Sequence, residues 1–432
     1  MPLTQPVTTE RLQDLIASRP AGGVLARGAG LSYGDAAKNA GGEVLGTLTA
    51  PGVDLDAERG TATVTASTTF AQLLTALVPA GFIPPVLSLS REATVGGAIA
   101  ADAHGPDHVT GGSISAWLEQ IDLVDGTGEL RQLTPAADPE GLRATAGGLG
   151  LTGVIVTATV RLRRLETAGL QVVSRRAGSL CEVLSALEAA PTQYAVAWVD
   201  AAASGAALGR GVVEAADHVT AGELASWPPE AGRRARLAYQ PPRSWRWPAP
   251  PVPVTPATVR AFNTIWYRRA PARHIGLRDL AGYFHRLDSA DGWNRSAGPA
   301  ALRRYQFVVP DQAERLLEDI LDAVRRHGCP PFLGRLQRLG AASGGELSFP
   351  RPGWCLAVDL PAGRPQVPGL LRALDQRIAA AGGRVRIAED ARLSRDAFEA
   401  MYGPLTSWRA ARARLDPCGV FRSDLGRRVG LC

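Results

Sequence analysis

Lysine is almost missing from this chain: Lys38 stands alone among 47 basic residues, and all the others are arginine. The two cations are not interchangeable in a site, so where related chemistry uses a lysine this protein must use something else. Long apolar runs are missing too. No stretch of about 18 residues is apolar enough to cross a bilayer, so no membrane anchor is expected. Met1-Pro2-Leu3-Thr4-Gln5-Pro6 has neither the basic start nor the apolar core of a secretory signal, which makes a cytoplasmic location the expectation. Cys181, Cys329, Cys355, Cys418 and Cys432 are widely spaced, with no CxxC pair and no Cys/His cluster. Neither a metal site nor a disulfide framework is expected. The phosphate-cradling GxxxxGK[ST] pattern is absent. So is a strand-GxGxxG-helix unit followed by a ribose-binding acid. The net charge is +6, but it is spread along the chain rather than blocked, which argues against a nucleic-acid partner.

A chain of 432 residues exceeds one ordinary core, so two domains are expected. Hydrophobic residues at 45% and charged residues at 20% suit a globular enzyme able to bury a large cofactor. Residues 1–165 read as short strands and turns with two helices. Thr8 to Ser18 is a capped helix with Leu12, Leu15 and Ile16 on one face. Gly23 to Ala26 and Thr61 to Ala66 are strands, Thr69 to Val78 has helical spacing, and Leu118 to Val124 with Leu130 to Leu133 reads as a hairpin.

Three glycine clusters punctuate this half. In Arg27-Gly28-Ala29-Gly30-Leu31-Ser32-Tyr33-Gly34 the missing Cβ atoms of Gly28 and Gly30 let backbone N–H groups approach an anion, as a diphosphate nest requires. Alone, this loop is equally well an ordinary strand-connecting turn. A second cluster runs from Thr94-Val95-Gly96-Gly97 to Asp102-Ala103-His104-Gly105 and Gly111-Gly112-Ser113. A third, Gly147 to Gly153, leads into the β-forming run Val154-Ile155-Val156-Thr157-Ala158-Thr159-Val160.

From about residue 166 longer helices and proline-rich connections take over, and a second domain is expected over 166–390. Trp227 to Pro256 reads as an extended surface or lid segment. Helices are expected at Gln312 to His327, Val367 to Ala381 and Phe398 to Arg414, the last stopped by Asp416-Pro417.

Taken together, the three clusters resemble the FAD-binding domain of the vanillyl-alcohol-oxidase (PCMH) type of flavoenzyme. The likeness continues through Ala197 to Asp200, Tyr283-Phe284-His285, Trp293-Asn294-Arg295, Tyr305-Gln306-Phe307-Val308, Leu347-Ser348-Phe349-Pro350, Pro352-Gly353-Trp354 and Met401-Tyr402. It is strongest to the branch that oxidises a prenylphosphoryl pentose. The resemblance implies an α+β fold: a two-subdomain FAD domain, an antiparallel-sheet substrate domain over the flavin, and residues 391–432 returning to the FAD domain. It assigns the diphosphate loop to Arg27 through Gly34, and it places Thr94, Val95, Gly96, Gly97, Asp102 and His104 on the opposite side, with Val154 and Ile155 nearby. Many relatives carry a flavin-linking histidine where this chain has Leu31, so FAD is expected to be noncovalent.

A flavin oxidising an alcohol needs the substrate C–H held about 3–3.5 Å from the ring and a group to take the hydroxyl proton. Tyr33, His104, Gln306 and Glu389 are the candidate catalytic residues. The plainer alternatives are that Tyr33 packs on its loop, His104 hydrogen-bonds backbone or cofactor, and Gln306 satisfies a strand neighbour. Relative to the resembled branch, Glu389 replaces a lysine, Arg304 a glutamine, Cys355 an asparagine, Ala357 a cysteine and Arg386 a tyrosine. Local charge at Glu389 is thereby reversed, and Arg304, Cys355, Arg386 and Glu389 become the candidate substrate contacts. An unpartnered buried carboxylate is costly, so a substrate ammonium on an amino sugar, such as an aminoglycoside intermediate, is one reading. Pairing of Glu389 with Arg386 or Arg304 is the other. The expected activity is oxidation of a secondary alcohol on such a sugar, a small polar alcohol, with the oxidising half of an epimerisation completed by a separate reductase as one setting for it. Alternatives are an aldonolactone or alditol oxidase, a prenylphosphoryl-pentose oxidase, and a flavin-free binding protein.

Overall fold

Caps and apolar periodicity start the elements where the sequence places them. A computed structural model describes residues 3–4, 8–46, 50–233, 235–241, 245–246, 255–291, 302–329, 331, 334–342, 344–361 and 363–432. Trp293-Asn294-Arg295 and most of the proline-rich 242–254 stretch lie outside the described residues.

The Thr8 hydroxyl accepts the Arg11 N–H at 3.3 Å and opens helix α1 (Thr9–Ala17). This satisfies one of the donors that a helix start leaves open. Leu12 and Ile16, one turn apart, are buried with Val24, Leu45 and Val154. Strands β1 (Leu3–Thr4), β2 (Val24–Ala26) and β3 (Glu43–Leu45) form a small parallel sheet with β3 central.

An antiparallel sheet follows, made of β4 (Val53–Asp56), β5 (Thr61–Thr65), β6 (Leu118–Val124), β7 (Leu130–Leu133) and β8 (Val154–Arg161), in the order β4-β5-β8-β6-β7. Asp125 sets the β6–β7 turn by accepting the Thr127 and Glu129 N–H groups at 2.8 and 3.1 Å. Helix α2 (Phe70–Leu77) starts in a Thr69/Gln72 capping box and buries Phe70, Leu73, Leu74 and Leu77. Helix α3 (Val95–Ala100) starts at Thr94, whose hydroxyl accepts the Gly97 N–H.

The second sheet has eight strands: β9 (Gly169–Ala177), β10 (Tyr194–Val199), β11 (Gly211–His218), β12 (Arg273–Asp279), β13 (Leu302–Val309), β14 (Gly334–Leu339), β15 (Gly353–Pro361) and β16 (Arg384–Val385). Their order is β12-β9-β11-β10-β14-β15-β13-β16, antiparallel throughout. The fold is thus α+β, as expected. Side chains alternate across a strand, and here the alternation separates two environments. Tyr305, Phe307 and Val309 of β13, with Trp354, Leu356, Val358 and Leu360 of β15, join one apolar core. That core includes the buried faces of α4 (Leu180–Glu188), α6 (Glu314–Arg326) and α7 (Val367–Ala380). Arg304, Gln306, Cys355, Ala357 and Asp359 occupy the intervening positions and line a cavity instead. Between α4 and α6 the chain adds α5 (Pro256–Arg269), which opens with a proline in its first turn. The register is strongly specified, because a one-residue slip would move Arg304 and Arg335 into the apolar core.

The expected tail helix is two helices, α8 (Arg395–Tyr402) and α9 (Thr406–Leu415). Gly403 and Leu405 both take positive φ, 77° and 54°, and Pro404 has no N–H to continue the ladder. Beyond α9 the chain comes back to the first sheet. Phe421 bridges Val24 in parallel, and Arg428 grips Asp35 with two bonds of 2.8 and 2.9 Å.

Candidate functional site

The glycine clusters and the polar face of the large sheet open onto one cavity of about 1710 Å³. Gly28 shows why its residue type is required. A Cβ there would lie 2.2 Å from Thr94 Oγ1, so the first and second clusters touch backbone to side chain. Gly30 has φ +68°, and a Cβ on it would meet the Arg27 guanidinium at 2.4 Å. A Cβ on Gly96 would lie 2.7 Å from that of Ala66. These close approaches leave a cradle of backbone along one wall.

Arg27, Gly28, Ala29, Gly30, Leu31, Ser32, Tyr33, Thr94, Gly96, Gly97, His104 and Ile155 all line the cavity. Four residues expected with them do not. Val95 and Val154 bury their side chains in two separate apolar clusters. Asp102 is fully buried behind the wall, where its carboxylate accepts the hydroxyls of Ser113 and Ser348 and the Ser115 N–H. Gly34 is a joint: a Cβ would sit 2.1 Å from the Asp390 carbonyl oxygen, so it seats the first loop on the segment carrying Glu389.

The opposite wall is the polar face of β13, β14 and β15. Arg304 donates twice to Asp359, at 2.9 and 3.0 Å, and its guanidinium lies 4.6 Å from the Tyr33 ring centre. Burial disfavours its charge, but Asp359 outweighs burial and the net effect holds Arg304 more firmly protonated than an ordinary arginine. Gln306 links the remaining groups. Arg386 donates to its Oε1 at 3.1 Å, and its Nε2 faces His104 Nε2 and Cys355 Sγ, each at 3.3 Å. Because Arg386 can only donate, the amide must turn its nitrogen toward His104, leaving His104 Nε2 as the accepting nitrogen. Burial, then the nearby Arg386, holds the His104 pKa well below its ordinary value. His104 is therefore a neutral imidazole at neutral pH. Burial raises the Tyr33 phenol above its usual range and pushes the Cys355 thiol up to about 11, so neither ionises readily.

Glu389 is not a bare carboxylate. It lies 3.8 Å from Arg386 and accepts the Tyr33 N–H at 3.4 Å. The charge reversal expected from replacing a lysine is corrected by the arginines that came with it. Among the described residues, eight arginines and five carboxylates line the cavity. Among the lining residues missed in the sequence are Arg335, Asp359, Glu214, Arg278 and Tyr283 as a polar group. The Arg335–Gln337 and Cys355–Ala357–Asp359 alternations within apolar strands were the available signal.

Comparison with known proteins agrees with this geometry. An FAD binding domain family matches residues 3–134. Decaprenylphosphoryl-beta-D-ribose oxidase of Mycolicibacterium smegmatis is 34% identical over 95% of this chain and 89% of its own. The chain belongs to the PCMH-type FAD-dependent oxidoreductases. It is an FAD-dependent oxidoreductase acting on CH–OH groups. An uncharacterized protein in the mprA 5′ region of Streptomyces coelicolor is 39% identical over 84% of this chain and all of its own. D-arabinono-1,4-lactone oxidase of Candida glabrata is 36% identical over 19% of this chain and 15% of its own. The cradle fits the cofactor, since Gly28, Gly30 and Gly96 let the loops close onto Thr94, Arg27 and Ala66, as a Cβ would not, and leave bare backbone facing the cavity. No described helix is long and apolar enough to cross a membrane.

Proposed function

We propose that this oxidoreductase oxidises a secondary alcohol on a sugar-like substrate. The supporting observation is the His104–Gln306–Arg386 chain, which holds a neutral buried imidazole of the second glycine cluster against the polar face of the large sheet. FAD supplies the acceptor for the hydride leaving the carbinol carbon. His104 takes the hydroxyl proton at Nε2, with Gln306 releasing its hydrogen bond as the substrate arrives. Arg386 locks the Gln306 amide and so sets which His104 nitrogen accepts. The loop from Arg27 to Ser32, with Thr94, Gly96 and Gly97, holds the cofactor, and Leu31 leaves it noncovalent.

The amino-sugar reading rested on Glu389 as an unpaired carboxylate. Its contacts with Arg386 and the Tyr33 N–H favour the other reading, in which Glu389 ties the first loop to the 386–392 segment. Oxidation of a prenylphosphoryl pentose or an aldonolactone is the alternative carried by the relatives' names. A place in an epimerisation, with a separate reductase completing it, and a cytoplasmic location belong to the same proposal.

Anaerobic mixing of the holoenzyme with amino, neutral and acidic sugars tests it. Bleaching of the flavin's visible band by at least one class is expected. Purified protein that is colourless and takes up no added FAD would instead support a flavin-free binding protein.

A further inference from the structure

The five carboxylates lining the cavity all have partners. Glu214 pairs with Arg278 and Arg286 at 2.9 and 3.2 Å, Asp359 with Arg304, Glu389 with Arg386, Glu92 with Arg91, and Asp288 accepts the Arg91 N–H. Arg335 does not. Among the described residues its side chain has neither an ion pair nor a hydrogen bond, although it sits mid-sheet on β14, opposite Ala357 of β15 and Trp198 of β10. The Tyr283 hydroxyl is also buried without a partner, and it lines the same cavity. The two groups lie close enough to influence each other's ionisation.

A guanidinium in a half-buried wall with no counter-charge is costly, and an unsatisfied buried hydroxyl adds to the cost. Burial pulls the Arg335 pKa down to about 10, which still leaves it a cation at neutral pH. A planar fork beside a phenol O–H is a donor set for an oxyanion and repels an ammonium.

We propose that Arg335 and Tyr283 form an anion subsite in the substrate half of the cavity, so that the sugar oxidised carries its own carboxylate or phosphate. This deepens, and rests on, the reading of the cavity as the site of a sugar alcohol and FAD. It replaces a cationic substrate with an anionic one.

The test titrates FAD-loaded protein with glucuronate, glucose 6-phosphate, glucose and glucosamine, read by calorimetry and by perturbation of the flavin band, so that no turnover is needed. Glucuronate, glucose 6-phosphate or both bind more tightly than glucose, and the stronger of the two shows whether the group is carboxylate or phosphate. Arg335→Gln weakens that anion by about tenfold to a hundredfold and leaves glucose unchanged, while Arg335→Lys recovers part of the affinity. FAD content and melting temperature of each variant report on folding. Anionic sugars that bind no better than glucose, or equally to wild type and Arg335→Gln, overturn the subsite. So does loss of FAD in Arg335→Gln with anion binding intact, which would make Arg335 a cofactor contact. If no sugar of any charge reduces the flavin, the proposed oxidation fails, and the binding titration still decides on Arg335.

Discussion

At the scale of single residues, two side chains compete for the hydroxyl proton, and their pKa shifts separate them. His104 is held neutral by burial and by Arg386, whereas burial raises the Tyr33 phenol beyond its ordinary alkaline range. With His104 as acceptor, the rate of flavin reduction stays flat from neutral to mildly alkaline pH and falls only in acid. A rate still climbing at the alkaline end would assign the proton to Tyr33. His104→Asn is expected to slow anaerobic flavin reduction by about 10²–10⁴-fold while FAD stays bound. Glu389→Gln tests the tie between the loop and the 386–392 segment. Because its partners are Arg386 and the Tyr33 N–H, the variant should bind glucosamine as wild type does and show weaker FAD retention on dilution. A selective loss of glucosamine binding would restore the amino-sugar reading.

At the scale of elements, the loops are welded by missing Cβ atoms as well as by side-chain contacts such as Glu389 with the Tyr33 N–H. Gly34→Ala places a methyl 2.1 Å from the Asp390 carbonyl oxygen, a backbone atom that cannot rotate away. The variant should fold with its apolar core intact and lose FAD affinity, measured by fluorescence of released flavin, by tenfold or more, since about 1.4 kcal/mol of strain suffices for that. Normal affinity would show that the loop relaxes independently of the 386–392 segment. The strand pattern works in the same local way. Tyr305 and Phe307 point into the helix-covered core while Arg304 and Gln306 between them point into the cavity, so β13 supplies stability and site from alternate positions.

At the scale of the whole molecule, several imidazoles are buried uncharged. Burial lowers His108, His218 and His285 to about 4 from an unfolded value near 6.5. Between those values the unfolded chain binds more protons, so the stability they contribute is present above pH 6.5 and is lost as pH falls toward 4. Asp107 acts oppositely: burial raises it to about 6, and its contribution favours the folded state below that pH. Burial also lowers His104 and raises Asp288, Asp375 and Asp416, and the four imidazoles are expected to dominate the acid window. The melting temperature of the FAD-loaded protein is expected to fall through this acid window, by the equivalent of several kcal/mol. A melting temperature that holds steady or rises on acidification would mean that these histidines are hydrated or paired in solution.

Much of the fold was legible in the order of residues, because capping, period-two alternation and glycine clusters act over a few positions. Thr8, Thr69 and the Asp125 turn sit where expected, and the tail helix was misjudged because Gly403-Pro404 was passed over. The loop from Arg27 to Ser32 and the second cluster likewise pointed to the cofactor wall before any coordinates did. Charge compensation was not legible. Glu389 meets the Tyr33 N–H from 356 positions away, Arg304 meets Asp359 from 55, and His104 meets Gln306 from 202. Pairing energy depends on distance and burial, not on separation along the chain. Sequence alone thus determined that this protein is built to hold a flavin. Only the tertiary structure decided which charges are already spent on each other, and that the Arg335 side chain reaches the cavity with no partner among the described residues.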